Sequence, residues 1–94
     1  MANGLSNSEV YCIGQDKYGF MWIGTNNGLN IYDGIQFRHF FSDAKDKTSI
    51  PGNDIQKILF DEDSVWLGTR AGLGLMDIIS KKCTHIDLGE NNDI

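Results

Sequence analysis

Apolar residues recur along this chain in short blocks that break at turn-forming residues. An apolar block begins at Val10, breaks at Asp16-Lys17-Tyr18-Gly19, resumes at Met21-Trp22-Ile23 and breaks again at Asn26-Asn27-Gly28. Blocks bounded in this way predict strands joined by tight turns, because Asp accepts hydrogen bonds from turn amides and Gly takes φ > 0. The pattern predicts strands over 10–15, 21–25, 29–32 and 36–41, the last with Phe37, Phe40 and Phe41 on its apolar face. A second set is predicted over 55–60, 65–69, 73–76 and 82–86. Helical spacing of apolar residues never persists.

The two sets are copies of one unit. Residues 5–16 align with 50–61 at an offset of 45, matching the acids Glu9 and Asp54, the apolar pairs and the closing Asp16 and Asp61. Trp22-Ile23-Gly24-Thr25 then matches Trp66-Leu67-Gly68-Thr69 at an offset of 44, followed by Gly28 with Gly72 and Asp33 with Asp77. After a two-residue insertion, His39-Phe40 matches His85-Ile86. The repeats occupy residues 5–41 and 50–87, joined by a polar linker over 42–49. Residues 88–94 read as a linker and the start of a third copy, where Asn92-Asp93-Ile94 reproduces Asn53-Asp54-Ile55.

A period of about 45 residues with four strands per period is the pattern of a β-propeller blade. The expected fold is all-β: two four-stranded antiparallel blades, a fragment of a larger propeller. Each blade buries its face on the next, and about three repeats are usually needed for stability. Two blades are therefore expected to be marginal alone or to be completed by self-association.

Composition narrows the partners. The chain carries thirteen acids against eight bases, a net charge of −5, with Lys81-Lys82 the densest basic pair. Neutralising a phosphate backbone needs a clustered positive surface, so neither nucleic acid nor an anionic membrane is an expected partner of this segment. The longest apolar stretch, around Leu73–Ile79, is broken by Gly74 and Asp77, far short of the roughly 20 residues that span a bilayer. The N-terminus shows no signal-peptide pattern. Cys12 and Cys83 read as small buried hydrophobes rather than a disulfide, and Cys83 with His85 lacks the further ligands of a zinc site. No cofactor is expected.

The string Asn7-x-Glu9-Val10-x-x-Ile13-x-x-Asp16-x-x-Gly19-x-x-Trp22-Ile23-Gly24-Thr25-x-x-Gly28-Leu29-x-x-Tyr32-Asp33-Gly34-x-x-Phe37 resembles the two-component regulator propeller repeat. The second copy departs from it in a turn one residue shorter after Asp61, in Met76 at the Tyr position, and in Cys83 near an expected aromatic. The resemblance implies a periplasmic sensor in a membrane-anchored hybrid histidine kinase, responding to oligosaccharides from polysaccharide breakdown. It also implies that Asn3-Gly4-Leu5-Ser6 resembles the start of such a sensor after its signal peptide. No kinase motif is present in the chain, and no catalytic role is expected for it.

Residues of the repeat pattern are expected to build the scaffold: Asp16, Gly19, Trp22, Gly24, Thr25, Gly28, Asp33, Asp61, Trp66, Gly68, Thr69, Gly72 and Asp77, all but Gly19 with a counterpart in the other copy. Chemistry is done once, whereas turns recur in every blade. The two Trp residues are expected between blades rather than as sugar platforms, since burying one indole removes about 150–250 Å² from water. Asp61-Glu62-Asp63-Ser64 lacks the Gly and the closing Glu of a calcium loop, and His39 and His85 suggest a role common to both repeats. Tyr11, Tyr18, Asn26, Asn27 and Arg70 are not repeated and sit near turns, making them the candidates for ligand contact. A ligand would then act by shifting the arrangement of sensor domains. Rival readings are an enzymatic propeller, a lyase or glycosidase with catalysis on other blades, and a structural protein-binding propeller.

Overall fold

The structure, a computed structural model, describes residues 4–5 and 9–86. The expected third copy at Asn92-Asp93-Ile94 lies outside the described residues. The first sheet is built in sequence order from β1 (Val10–Gln15), β2 (Met21–Thr25), β3 (Gly28–Tyr32) and β4 (Phe37–Phe40). The second follows from β5 (Ile55–Asp61), β6 (Ser64–Thr69), β7 (Gly72–Asp77) and β8 (Cys83–Ile86). All six strand pairs are antiparallel. The fold is all-β, two four-stranded antiparallel sheets.

β1 and β2 match the sequence pattern, and the ends of the other strands differ from it by at most one residue, for local reasons. β3 and β7 begin at Gly28 and Gly72, which pair with Thr25 and Thr69. Those glycines have φ of 120° and 155°, so the chain reverses without the steric penalty a Cβ would bring. β5 and β6 continue to Asp61 and Ser64, because only Glu62 and Asp63 separate them. Glu62 takes the left-handed conformation there, at φ 58°.

The sheets pack face to face. Gly14, Trp22 and Ile31 form one cross-strand row of the first sheet, and Cys12, Gly24 and Leu29 form the next. This face meets Ile55, Ile58, Phe60, Val65, Leu67, Met76 and Cys83 of the second sheet in one core. Trp22 is fully buried, its ring edge-on to Phe60 at 5.7 Å. At Gly24 the backbone comes so close that a Cβ would lie 2.6 Å from both Ile55 Cγ2 and Cys12 Sγ.

Both outer strands are sheathed by the segment that leads into their own repeat. His39 Nε2 lies 2.7 Å from the Gly4 carbonyl oxygen, and His85 Nε2 lies 2.7 Å from that of Ser49. Cys83 N–H also donates to the Thr48 carbonyl at 2.9 Å. An open sheet edge invites pairing with another chain, and in the second blade the Thr48–Ser49 segment lies along it. Asn53 then joins the blades: its carbonyl accepts from Gly28 N–H and its side-chain oxygen from Ser42 N–H, each at 2.6 Å.

Candidate functional site

The turns divide between two ends of the blades. One end carries the β1–β2 and β3–β4 turns and their counterparts. There Asp16 Oδ1 accepts from the N–H groups of Tyr18 and Phe20, at 2.9 and 3.0 Å, while Oδ2 accepts from the Trp22 indole N–H at 2.8 Å. Asp33 accepts from the N–H groups of Ile35 and Gln36, and Asp77 from that of Ser80. These bonds hold the Asp33 and Asp77 carboxyls below the usual range. Gly19 closes its turn at φ 93°, its N–H donating to the Asp16 carbonyl.

Asp61 departs from its counterpart Asp16. It is exposed and sits within the ladder opposite Ser64; among the described residues its carboxylate takes no turn amide. The missing residue in the turn removes the loop that Asp16 organises. Trp66 accordingly lacks the carboxylate partner of Trp22 among the described residues. Tyr18 also lies at this end, its hydroxyl 3.5 Å from Asp63, which pairs with Lys17 at 2.6 Å.

The opposite end carries the β2–β3 and β6–β7 turns. Thr25 and Thr69 hydroxyls donate to the Gly28 and Gly72 carbonyls at 2.9 and 2.8 Å. The same oxygens accept turn N–H groups, from Asn27 in the first blade and from Ala71 and Gly72 in the second. A fixed frame is thus repeated at this end, and three positions on it carry side chains outward.

The first position is the acid just before the inner strand, Glu9 or Asp54. Its carbonyl accepts the N–H of the third position, Asn26 or Arg70, at 3.0 and 3.2 Å. The second position is a β-bulge. Val10 pairs with Thr25 and Cys12 with Gly24, leaving Tyr11 as the extra residue; Ile55 pairs with Thr69 and Lys57 with Gly68, leaving Gln56. Bulges re-aim a side chain and are frequent beside functional sites.

On this common frame the side chains differ in chemistry and meet within each blade. Tyr11 Oη donates to Asn26 Oδ1 at 3.4 Å. In the second blade Gln56 Nε2 and Arg70 Nε donate to the two carboxylate oxygens of Asp54, at 2.9 and 3.2 Å. Gln56, and after it Arg70, holds the Asp54 carboxyl below its ordinary range. Arg70 keeps 72 % of its side chain in solvent. The structure therefore brings Tyr11, Asn26, Asn27 and Arg70 to one end and sets Tyr18 at the other. Sequence reasoning missed Asp54 and Gln56. Reading the copies position by position for changed chemistry, Tyr11 against Gln56 and Asn26 against Arg70, is the signal that finds them.

The second blade also keeps an open apolar face. Lys57, Leu59, Trp66, Gly68 and Leu73 line a shallow groove, and Leu59 is 65 % exposed. These positions correspond to Cys12, Gly14, Trp22, Gly24 and Leu29, the face with which the first blade seats the second. Among the described residues, no helix is long and apolar enough to cross a membrane.

Two sequential four-stranded meanders, the Trp22 face of the first stacked on the Val65 and Leu67 face of the second, define the class: these are blades of a β-propeller. Residues 4–27 match the family described as two component regulator propeller. A histidine kinase of Formosa agariphila is 48 % identical over 48 residues, which is 51 % of this chain and 4 % of the kinase. The extracellular domain of a hybrid two-component system from B. thetaiotaomicron superposes with a TM-score of 0.84 at 31 % identity, covering 97 % of this chain and 13 % of that domain. The family match falls on the first repeat, and the chain is similar in fold to the extracellular domain of this hybrid two-component system. It spans only a small part of each of these relatives.

Proposed function

We propose that the chain is a ligand-sensing segment of a periplasmic propeller in a two-component sensor, and that it acts by binding an oligosaccharide rather than by catalysis. The observation that carries this reading is the bulge. In both blades a structurally constant bulge and turn present side chains of different chemistry at one end, Tyr11 with Asn26 and Gln56 with Arg70. Scaffold constancy with chemical variety is what a recognition surface needs, because each blade offers its own donors and acceptors without cost to the fold.

The chemistry favours a sugar. A tyrosine ring provides an apolar face with a polar tip, while amide, guanidinium and carboxylate groups supply directional bonds to hydroxyls. The acids at the opposite end are committed elsewhere: Asp16, Asp33 and Asp77 hold turn amides. A glycosidase pair would need two carboxylates converging on one bond. Ligand contact would bias the arrangement of the propeller against its neighbours, shifting a signalling equilibrium by differential affinity.

The test is a glycan array of neutral and acidic oligosaccharides probed with the chain, repeated with Tyr11→Ala and Arg70→Ala. Retention of a defined saccharide class that both substitutions abolish supports the reading. Retention that neither substitution changes, or no retention at all, overturns it.

A further inference from the structure

Between the blades, below the linker, lies a cleft of about 330 Å³ remote from the bulge residues. Three of the chain's eight bases line it: Arg38 from β4, and Lys81 and Lys82 from the β7–β8 turn. Asp46 is the one acid on its described wall, and that carboxylate already accepts from the Thr48 hydroxyl and amide, at 2.7 and 2.9 Å. In a chain of net charge −5, this is a local concentration of positive charge.

Each base is placed. Arg38 lies with its guanidinium carbon 5.1 Å from the centre of the Phe40 ring, and among the described residues it has no carboxylate or hydrogen-bond partner, so its planar fork of donors is unspent. Lys81 holds a left-handed backbone at φ 64°, which costs energy for a residue with a side chain. Its ammonium donates to the Ile78 carbonyl and stands 5.8 Å over the Trp22 ring. Burial, and then the charge of Arg38, press its pKa down. Lys82 is exposed on the cleft's rim. Asp16 and Asp77 offset part of the charge of Lys81, and Asp46 faces Lys82. The guanidinium of Arg38 has no such partner among the described residues, and an anion placed among the three bases lowers the energy of the cleft.

We propose that this interblade cleft binds a compact oxyanion group, a carboxylate, sulfate or phosphate, through Arg38, Lys81 and Lys82. Arg38 meets two oxygens of the group with its fork, the pairing that guanidinium geometry favours, and the two ammonium groups act as point charges around it. Because the site joins β4 of one blade to the β7–β8 turn of the next, its occupant ties the blades together.

Trp22 beneath Lys81 is the reporter. In the chain with Trp66→Phe, Trp22 emission is followed while sodium sulfate replaces sodium chloride at constant ionic strength, and separately while glucuronate replaces it. A saturating change is expected, and Arg38→Met or Lys82→Met weakens the binding roughly tenfold or more. Both side chains are exposed, so the variants keep the fold, which unchanged emission without sulfate verifies. Tighter binding of sulfate identifies a free inorganic anion as the occupant; tighter binding of glucuronate identifies an anionic sugar. A linear response equal to that of chloride, or a saturating one that neither substitution weakens, overturns the proposal.

Discussion

The Trp22 indole N–H donates to the Asp16 carboxylate at 2.8 Å, and both side chains are buried where the first blade meets the second. That bond links a turn to the blade interface. The carboxylate also collects the Tyr18 and Phe20 amides, so the loop following β1 and the ring seated against Phe60 are positioned by one group. A buried charge is tolerable when its hydrogen-bond sites are filled, and here three donors fill them.

Removing that group leaves buried donors unmet. Asp16→Ala is expected to destabilise the chain by about 2–4 kcal/mol. Asp61→Ala, at an exposed position without such bonds, is expected to stay within about 0.5 kcal/mol. Urea unfolding followed by tryptophan emission measures both. Equal losses at the two positions would show that the shorter turn relies on its carboxylate as the longer one does.

Close approach at the interface makes a second comparison. A Cβ at Gly24 would lie 2.6 Å from Ile55 Cγ2, whereas one at Gly68 meets Lys57 at 3.4 Å. Gly24→Ala is expected to cost about 1–3 kcal/mol by overpacking, and Gly68→Ala less than about 1 kcal/mol. The difference has two sources: the second blade is seated against Gly24, and the cross-strand neighbour Cys12 crowds it where Lys57 leaves Gly68 room. Chemical denaturation of the two variants reads it directly.

The groove around Trp66 predicts association. It repeats the face that seats the second blade, and it leaves Leu59 65 % exposed. Light scattering is expected to show a mass that rises with concentration. Leu59→Glu, which puts a charge into the groove, is expected to return the chain to a monomer. A wild-type monomer at every concentration would remove the prediction.

Alkaline stability follows from the thiol at the core. Burial pushes Cys83 up to about 11, while an unfolded thiol titrates at about 8.5. The folded state therefore keeps this proton where the unfolded chain loses it. Stability from that difference is complete below about pH 8.5 and is lost as pH rises toward the folded value. The urea midpoint is expected to fall between these limits, and Cys83→Ala to flatten the fall. Cys12 is raised by burial too, so some alkaline dependence persists in the variant.

Much of this architecture is legible in the sequence because its determinants are local. Asn26-Asn27-Gly28 and Asp33-Gly34 set turns, and the blocks between them have the alternation of strands. The strand ends are less legible, since Thr25 and Thr69 draw their turns tight and carry Gly28 and Gly72 into the ladder. Asp61 looks like Asp16 in an alignment, yet one deleted turn residue changes what its carboxylate can reach. Tyr11, Asn26 and Arg70 stand out as unrepeated residues. The bulge that selects Tyr11 and Gln56 has no glycine to announce it, and it emerges only from the pairing register. The cationic cleft is less visible still, because Arg38 and Lys81 lie far apart in the chain and meet through blade packing.

Each sheet takes all four strands from its own repeat and in chain order. Among the described residues no ladder is shared, so neighbouring blades are coupled by side-chain faces, by the bonds around Asn53 and by those of Asp63 to Lys17 and Tyr18. A blade is thereby a unit of inheritance. Duplicating one, losing one or exchanging it for another breaks no strand pairing, and the newcomer needs only a matching face and a lead-in of the right length. Such a chain can change the residues it shows at one end blade by blade.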